Sequence, residues 1–277
     1  MSIKLIATDL DGTLLSGSLS VSKANKRAME KAFVAGITTV IATGRAETTI
    51  PDAVREIRGI QYLVTSNGAK ILDFDSGELV YEKYINAASI ELIWPIIERE
   101  GVMTEVFIDS TPYVDEVDYL KFADFGVPDD YLEYFKTSRK AVPDVKSYMK
   151  ENLHRIENIN FMFSDTSLRV DIYNELLELR NQSQGFDLTS SFYFNVEIGG
   201  TGVNKGDAIE YLAERLGYDR DEIMCIGDNY NDIDMIQYAG TGIAMGDAPS
   251  EVRQAADYIV ADSDLDGVAE AIKQFAL

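Results

Sequence analysis

One cysteine and one histidine in 277 residues remove several common chemistries at the outset. Cys225 alone excludes an internal disulfide framework and any zinc site built from several cysteines. Inside the apolar run IMCIG it reads as a small buried hydrophobe. His154 lies between KENL and RIEN with no evident partner, which leaves histidine triads and multi-histidine metal sites without support. No apolar stretch approaches the roughly 18 residues of a membrane span. The N-terminus lacks a signal peptide's basic segment and apolar core, because Asp9 interrupts the run. A cytoplasmic protein without a membrane partner is expected.

Positive charge is also scarce. Lys and Arg number 25 against 47 Asp and Glu, for a net charge of −22. That balance argues against nucleic acid bound through a basic surface. An anionic ligand would need a locally positive site. Most of the acidic excess reads as a solvated surface, and the chemistry falls to a chosen few carboxylates.

What is present is an alternation of short apolar runs and amphipathic segments. IKLIAT and ITTVIAT read as buried strands. SKANKRAMEKAFVAG reads as a helix with Ser22 as N-cap and Gly36 at its end. A second helix is expected through ETTIPDAVREIRG, and a hairpin turning at Asp75-Ser76-Gly77. The C-terminal quarter repeats the style, with EIMCIG as a strand between KGDAIEYLAERLG and DIDMIQYAG. Such alternation implies a mainly parallel sheet covered on both faces, an α/β core of three layers. The middle differs, with the hairpin candidate VMTEVFIDSTPYVDE and many aromatics. The expected organisation is a core of residues 1–84 and 191–277, with an α+β domain of residues 85–190 inserted.

Parallel sheets bind ligands beyond the carboxyl ends of their strands. Three expected strands end in conspicuous residues: Asp9 and Asp11 after the first, Thr43 in ATGR after the second, and Asp228 in GDNYND after IMCIG. Asp9 and Asp11 are two residues apart, so extended backbone projects both to one side. Gly12 permits a tight departure from the strand. With Asp228 added, the donors are several hard oxygens and no soft ligand, a set that suits Mg²⁺ and a phosphate in its shell. An EF-hand reading fails, because the fifth, sixth and twelfth residues from Asp9 are Thr13, Leu14 and Ser20.

The ordered set DLDGT at 9–13, Thr43 in ATGR, Lys205 in VNKGDA and GDNYNDIDM at 227–235 resembles the haloacid dehalogenase superfamily of phosphohydrolases. SNGA at 66–69 and GIAMGDAP at 242–249 extend the resemblance over the core, towards the Cof-type subfamily. The resemblance implies a Rossmann-like α/β/α core with an inserted cap of type 2B that selects the substrate. It implies Asp9 as the nucleophile that forms an aspartyl-phosphate and Asp11 as the general acid and base. Mg²⁺ would be held by the Asp9 carboxylate, the Asp11 carbonyl and Asp228, with Asp232 as an outer ligand. The phosphate would be held by the Leu10 amide, Thr43, the Gly44 amide, Lys205 and Asn231. The implied activity is Mg²⁺-dependent hydrolysis of small phosphorylated metabolites, sugar phosphates among them. Two alternatives stay open: phosphomutase-type transfer, and a non-catalytic module that binds phosphate or metal.

Overall fold

The computed structural model describes residues 2–16 and 20–277. The chain lays down β1 (Leu5–Thr8), β2 (Thr38–Ala42), β3 (Ile60–Thr65), β4 (Lys70–Asp73) and β5 (Leu79–Glu82). It continues with β6 (Val102–Ile108), β7 (Thr111–Asp115), β8 (Lys140–Val142), β9 (Ile156–Phe163), β10 (Phe186–Thr189) and β11 (Asn195–Gly200). β12 (Ile223–Gly227), β13 (Thr241–Ala244) and β14 (Tyr258–Ile259) complete the strands. They form two sheets, ordered β14-β13-β12-β1-β2-β3-β4-β5 and β10-β11-β9-β6-β7-β8. Two compact units result: Met1–Arg45, Ile50–Glu82 and Asn204–Leu277 in one, Ala46–Thr49 and Lys83–Val203 in the other.

In the first unit the strands from β14 through β3 run parallel, and β4 and β5 turn back antiparallel at one edge. Alternate residues of β1 feed different cores, as a period of two requires. Ile6 packs with Met29 and Ala32 of the helix Lys23–Val34 and with Val268 and Ile272 of the C-terminal helix. Leu5 and Ala7 pack with Ile209 and Leu212 of the helix Lys205–Leu216 and with Met235. Helices therefore cover both faces, which gives the three-layer α/β/α architecture with a Rossmann-like core. Ser22 caps its helix by accepting from the Asn25 amide. Cys225 is fully buried in β12, and burial pushes its thiol well above the ordinary range. No helix among the described residues is long and apolar enough to cross a membrane.

The second unit is a mostly antiparallel sheet. Asp109 and Ser110 both take positive φ, the geometry of a tight two-residue turn, and close the β6–β7 hairpin. Val106, Ile159, Phe161, Val196 and Ile198 fill one face beneath the helices Ala87–Ile97 and Thr166–Ser183.

Two boundaries differ from the sequence reading. Residues 191–203, assigned there to the core, contribute β11, which pairs with β9 and β10 of the second sheet. The glycines at 199 and 200 end that strand, and a side chain at Gly200 would meet the Tyr84 carbonyl 2.7 Å away. The helix expected through residues 47–59 is broken into Glu47–Thr49 and Asp52–Arg55 by Pro51, which biases Ile50 away from helical geometry. Ala46–Thr49 joins the second unit, where the Thr48 amide and hydroxyl both donate to the Ser110 carbonyl.

Candidate active site

Strand order β12-β1-β2 puts the carboxyl ends of the three motif-bearing strands side by side in the first unit. Asp9 follows β1 and donates its amide to the Ile226 carbonyl of β12, which fixes its backbone. Leu10 buries its side chain in the core while its carbonyl accepts from Thr13 and Leu15, closing a tight turn. Gly12 sits in that turn at φ +81°, and a Cβ there would lie 2.5 Å from Asp228 Oδ2. Both the conformation and the close approach require glycine.

Lys205 opens the helix Lys205–Leu216, whose N-cap Asn204 accepts from the Asp207 amide. Its ammonium is fully buried and donates to Asp9 Oδ1 and Asp232 Oδ1, each at 2.6 Å. Asp232 Oδ2 accepts from the amides of Asp228 and Asn229, each at 2.9 Å. Every oxygen of Asp232 is thus engaged, so this residue orients Lys205 and the loop after β12. Gly227 makes this loop possible, because a Cβ there would lie 2.4 Å from the Asp232 Cβ. Asp228 Oδ1 accepts from the Thr13 hydroxyl at 2.6 Å.

Thr43 and Gly44 follow β2. The Thr43 hydroxyl is buried and accepts from the Arg45 amide at 3.1 Å. Ser66 and Asn67 both take positive φ, which is unusual outside glycine. Their amides donate to the carbonyls of Arg45 and Thr43 and tie the end of β3 to the loop after β2. Asn231 donates from Nδ2 to Asn67 Oδ1 at 3.0 Å.

Arg45, the last residue of ATGR, is a site residue that the sequence alone does not single out. The guanidinium donates from Nε and Nη2 to the two oxygens of Asp11, at 2.7 and 2.6 Å. Asn67 in SNGA and Thr13 in DLDGT likewise act as positioning groups, through Asn231 and Asp228, without a local signal of that role.

The electrostatics are unbalanced. Asp9, Asp11, Asp228 and Asp232 face Lys205 and Arg45, two cations for four acids. Burial pushes the Asp9 carboxyl up to about 7 against the pull of Lys205, and the charges of Asp232 and Asp11 push it the same way. Burial, followed by the charge on Asp9, raises Asp228 well above the usual carboxylate range. Burial acts to lower the Lys205 pKa, but Asp232 and Asp9 outweigh it and hold the ammonium charged. Oxygens of Asp9, Asp228 and Asp232 lie within 4.8 Å of one another. Crowded hard oxygens with a deficit of positive charge fit a divalent cation, and Asp9 and Asp228 are the carboxylates with an oxygen to offer it.

A family model described as haloacid dehalogenase-like hydrolase matches residues 6–272. The 5-amino-6-(5-phospho-D-ribitylamino)uracil phosphatase YcsE of Bacillus subtilis is 30% identical over 282 residues, covering 99% of this chain and 96% of its own length. Phosphatase YwpJ of the same organism is 29% identical over 292 residues, covering 98% and 99%. The solved structure of a haloacid dehalogenase-like hydrolase from B. subtilis superposes with a TM-score of 0.84 at 27% identity, covering 98% of this chain and 99% of that one. With near-complete coverage in each comparison and the acidic site at the strand ends, the chain belongs to the haloacid dehalogenase-like hydrolase family and is a phosphoric monoester hydrolase within it.

Proposed function

We propose that the protein is a Mg²⁺-dependent phosphatase of small, soluble phosphate esters that works through an aspartyl-phosphate on Asp9. The observation that carries this reading is the contact of Lys205 with Asp9. The buried ammonium holds Oδ1, whose second lone pair would meet the cation, and this leaves Oδ2 for phosphorus. Attack by Oδ2 forms the O–P bond as the bond to the leaving oxygen breaks, and splits one difficult displacement into two easier ones. Asp11 supplies the proton that the leaving oxygen needs. Water then attacks phosphorus, Asp11 takes a proton from it, and the bond to Asp9 breaks to release inorganic phosphate.

Charge on the transferring group spreads over its equatorial oxygens. Lys205, the Thr43 hydroxyl, Asn231 and the amides of Leu10 and Gly44 are the donors assigned to those oxygens. Mg²⁺ held by the Asp9 and Asp228 carboxylates and the Asp11 carbonyl would add positive charge where the acids leave a deficit. The unit Lys83–Val203 is assigned the part of a cap that selects the leaving group. The YcsE relative's named substrate carries a phosphate on a ribityl chain, which favours hydroxyl-bearing esters over simple alkyl ones.

A panel of phosphorylated metabolites, assayed for phosphate release with Mg²⁺ and with a chelator, tests the reading. Release that depends on Mg²⁺ and ranks hydroxylated esters first is expected. No release from any ester, p-nitrophenyl phosphate included, would contradict it.

A further inference from the structure

We propose that the first unit carries a second ligand site, for a flat aromatic ring bearing one carboxylate, at the end of its sheet opposite the catalytic edge.

The helix Lys23–Val34 brings Phe33 to the amino ends of β2 and β3, and the antiparallel β4 returns Phe74 to the same end. A cavity of about 310 Å³ opens there, lined by Phe33, Arg58, Gly59, Gln61, Phe74 and Asp75 among others. That volume falls within the range of small-molecule sites, and the lining belongs to the first unit alone.

The local backbone is shaped around this cavity. Gly59 takes φ +96°, and a Cβ there would lie 2.3 Å from Phe33 Cγ, so a glycine is what lets the ring lie against this backbone. The Thr39 hydroxyl donates to the Gly59 carbonyl at 2.6 Å and holds it. Thr39 pairs with Ile60 but Val40 pairs with Tyr62, which leaves Gln61 as the extra residue of a bulge. A bulge re-aims its side chain. Gln61 Oε1 accepts from the Thr39 amide at 3.2 Å, and the Gln61 carbonyl accepts from the Phe74 amide at 2.9 Å. With its oxygen committed, Gln61 keeps Nε2 as a donor that has no partner among the described residues.

The lining specifies the ligand. Phe33 and Phe74 are half-buried, and both present apolar surface to the cavity. Arg58 is exposed and, among the described residues, makes no hydrogen bond or ion pair. The chain holds 47 acids against 25 bases, yet no acid claims this guanidinium. Arg58 and Gln61 Nε2 only donate, so the polar end of the ligand must accept, and a carboxylate matches the guanidinium fork with two oxygens. Arg55, Glu56 and Asp75 also line the cavity, and Glu56 lies 4.0 Å from Lys26. The two carboxylates at the rim penalise a dianion more than a monoanion, which favours a carboxylate over a phosphate. The aromatic walls favour a flat ring beside it.

Calorimetric titration of the full-length protein with 2-naphthoate tests the site. The comparison probes are 2-naphthalenemethanol, the same ring without charge, and acetate, the charge without a ring. 2-Naphthoate should bind at one site with a sub-millimolar Kd, and both comparison probes at least about tenfold more weakly. Arg58→Gln should weaken 2-naphthoate about tenfold, and Phe33→Leu about threefold, with melting temperature as the folding control. If Phe33→Leu does not fold, Arg58→Gln and Arg58→Glu at the exposed position carry the comparison. Asp9→Asn and saturating inorganic phosphate should leave the affinity unchanged, because the catalytic edge lies at the other end of the sheet. No saturable binding up to roughly 5 mM, or an affinity that Arg58→Gln leaves unaltered, overturns the proposal. Equal affinity for 2-naphthalenemethanol overturns the carboxylate assignment. Competition by inorganic phosphate would assign the binding to the catalytic cluster and overturn the second site, whatever the outcome for the phosphatase reading.

Discussion

Arg45 holds Asp11 by both carboxylate oxygens, at 2.6 and 2.7 Å, from a position almost closed to solvent. A bidentate fork of this kind fixes orientation as well as charge. The residue assigned as proton donor is therefore engaged, and must give up at least one of these bonds to reach a leaving oxygen. Arg45→Ala should lower kcat by roughly 10²-fold, within the usual range for a positioned acid or base. Arg45→Lys, which keeps the charge and loses the fork, should fall in between. Steady-state kinetics on p-nitrophenyl phosphate with thermal melts as a folding control measures this, and full activity of Arg45→Ala would remove Arg45 from the account.

Lys205 is the only cation bonded to Asp9 and Asp232 among the described residues. Lys205→Met would leave two buried carboxylates without their partner. Breaking one side of a buried ion pair typically costs about 3–5 kcal/mol, and a loss of that order is expected in denaturant unfolding of the metal-free protein. A change below about 1 kcal/mol would mean that the three groups do not depend on one another as the geometry says.

The raised Asp9 carboxyl makes the metal-free protein sensitive to pH. Its folded value near 7 lies above its unfolded value of 3.8, so the folded state holds more protons between them. Stability is then full below the unfolded value and falls as pH rises through about 7. Asp228 shifts in the same direction and adds to the trend. A cation competes with these protons, so the Mg²⁺-induced rise in melting temperature should be larger at pH 8 than at pH 5.5. Melts with Mg²⁺ and with chelator at the two values check this, and an equal rise at both would contradict it.

Gly12 offers a backbone test of the same cluster. Gly12→Ala meets a positive φ and places a methyl group 2.5 Å from Asp228 Oδ2. A strained left-handed residue costs on the order of 1–3 kcal/mol. Displacing Asp228 should also weaken Mg²⁺ affinity at least tenfold, read by calorimetry or by activation curves. Unaltered affinity would show that Asp228 is not held where the structure puts it.

The strand ends were legible because their signal is local. An apolar run followed by DLDGT, ATGR or GDNYND announces a buried strand and its functional terminus within ten residues. Parallel alternation implies that such termini share one edge of the sheet, and the order β12-β1-β2 places Asp9, Thr43 and Asp228 side by side there. Lys205 was visible only through the resemblance, because nothing in VNKGDA alone says that its ammonium is buried between two acids. Arg45 was missed for a related reason: its partner Asp11 lies 34 residues earlier, and pairing across that distance leaves no periodic trace. Nothing in the composition of the segment 191–203 marks it as part of the inserted domain rather than the core. Its membership of the second sheet depends on β9, some 35 residues earlier, through long-range register rather than composition.

The most direct test of the central claim is rapid acid quench of the Mg²⁺-loaded enzyme with a ³²P-labelled ester, followed by peptide mapping. The account predicts label on the peptide that contains Asp9, and none in Asp9→Asn, whose turnover should drop by orders of magnitude while the protein stays folded. Label on another residue, or undiminished turnover in Asp9→Asn, would contradict it.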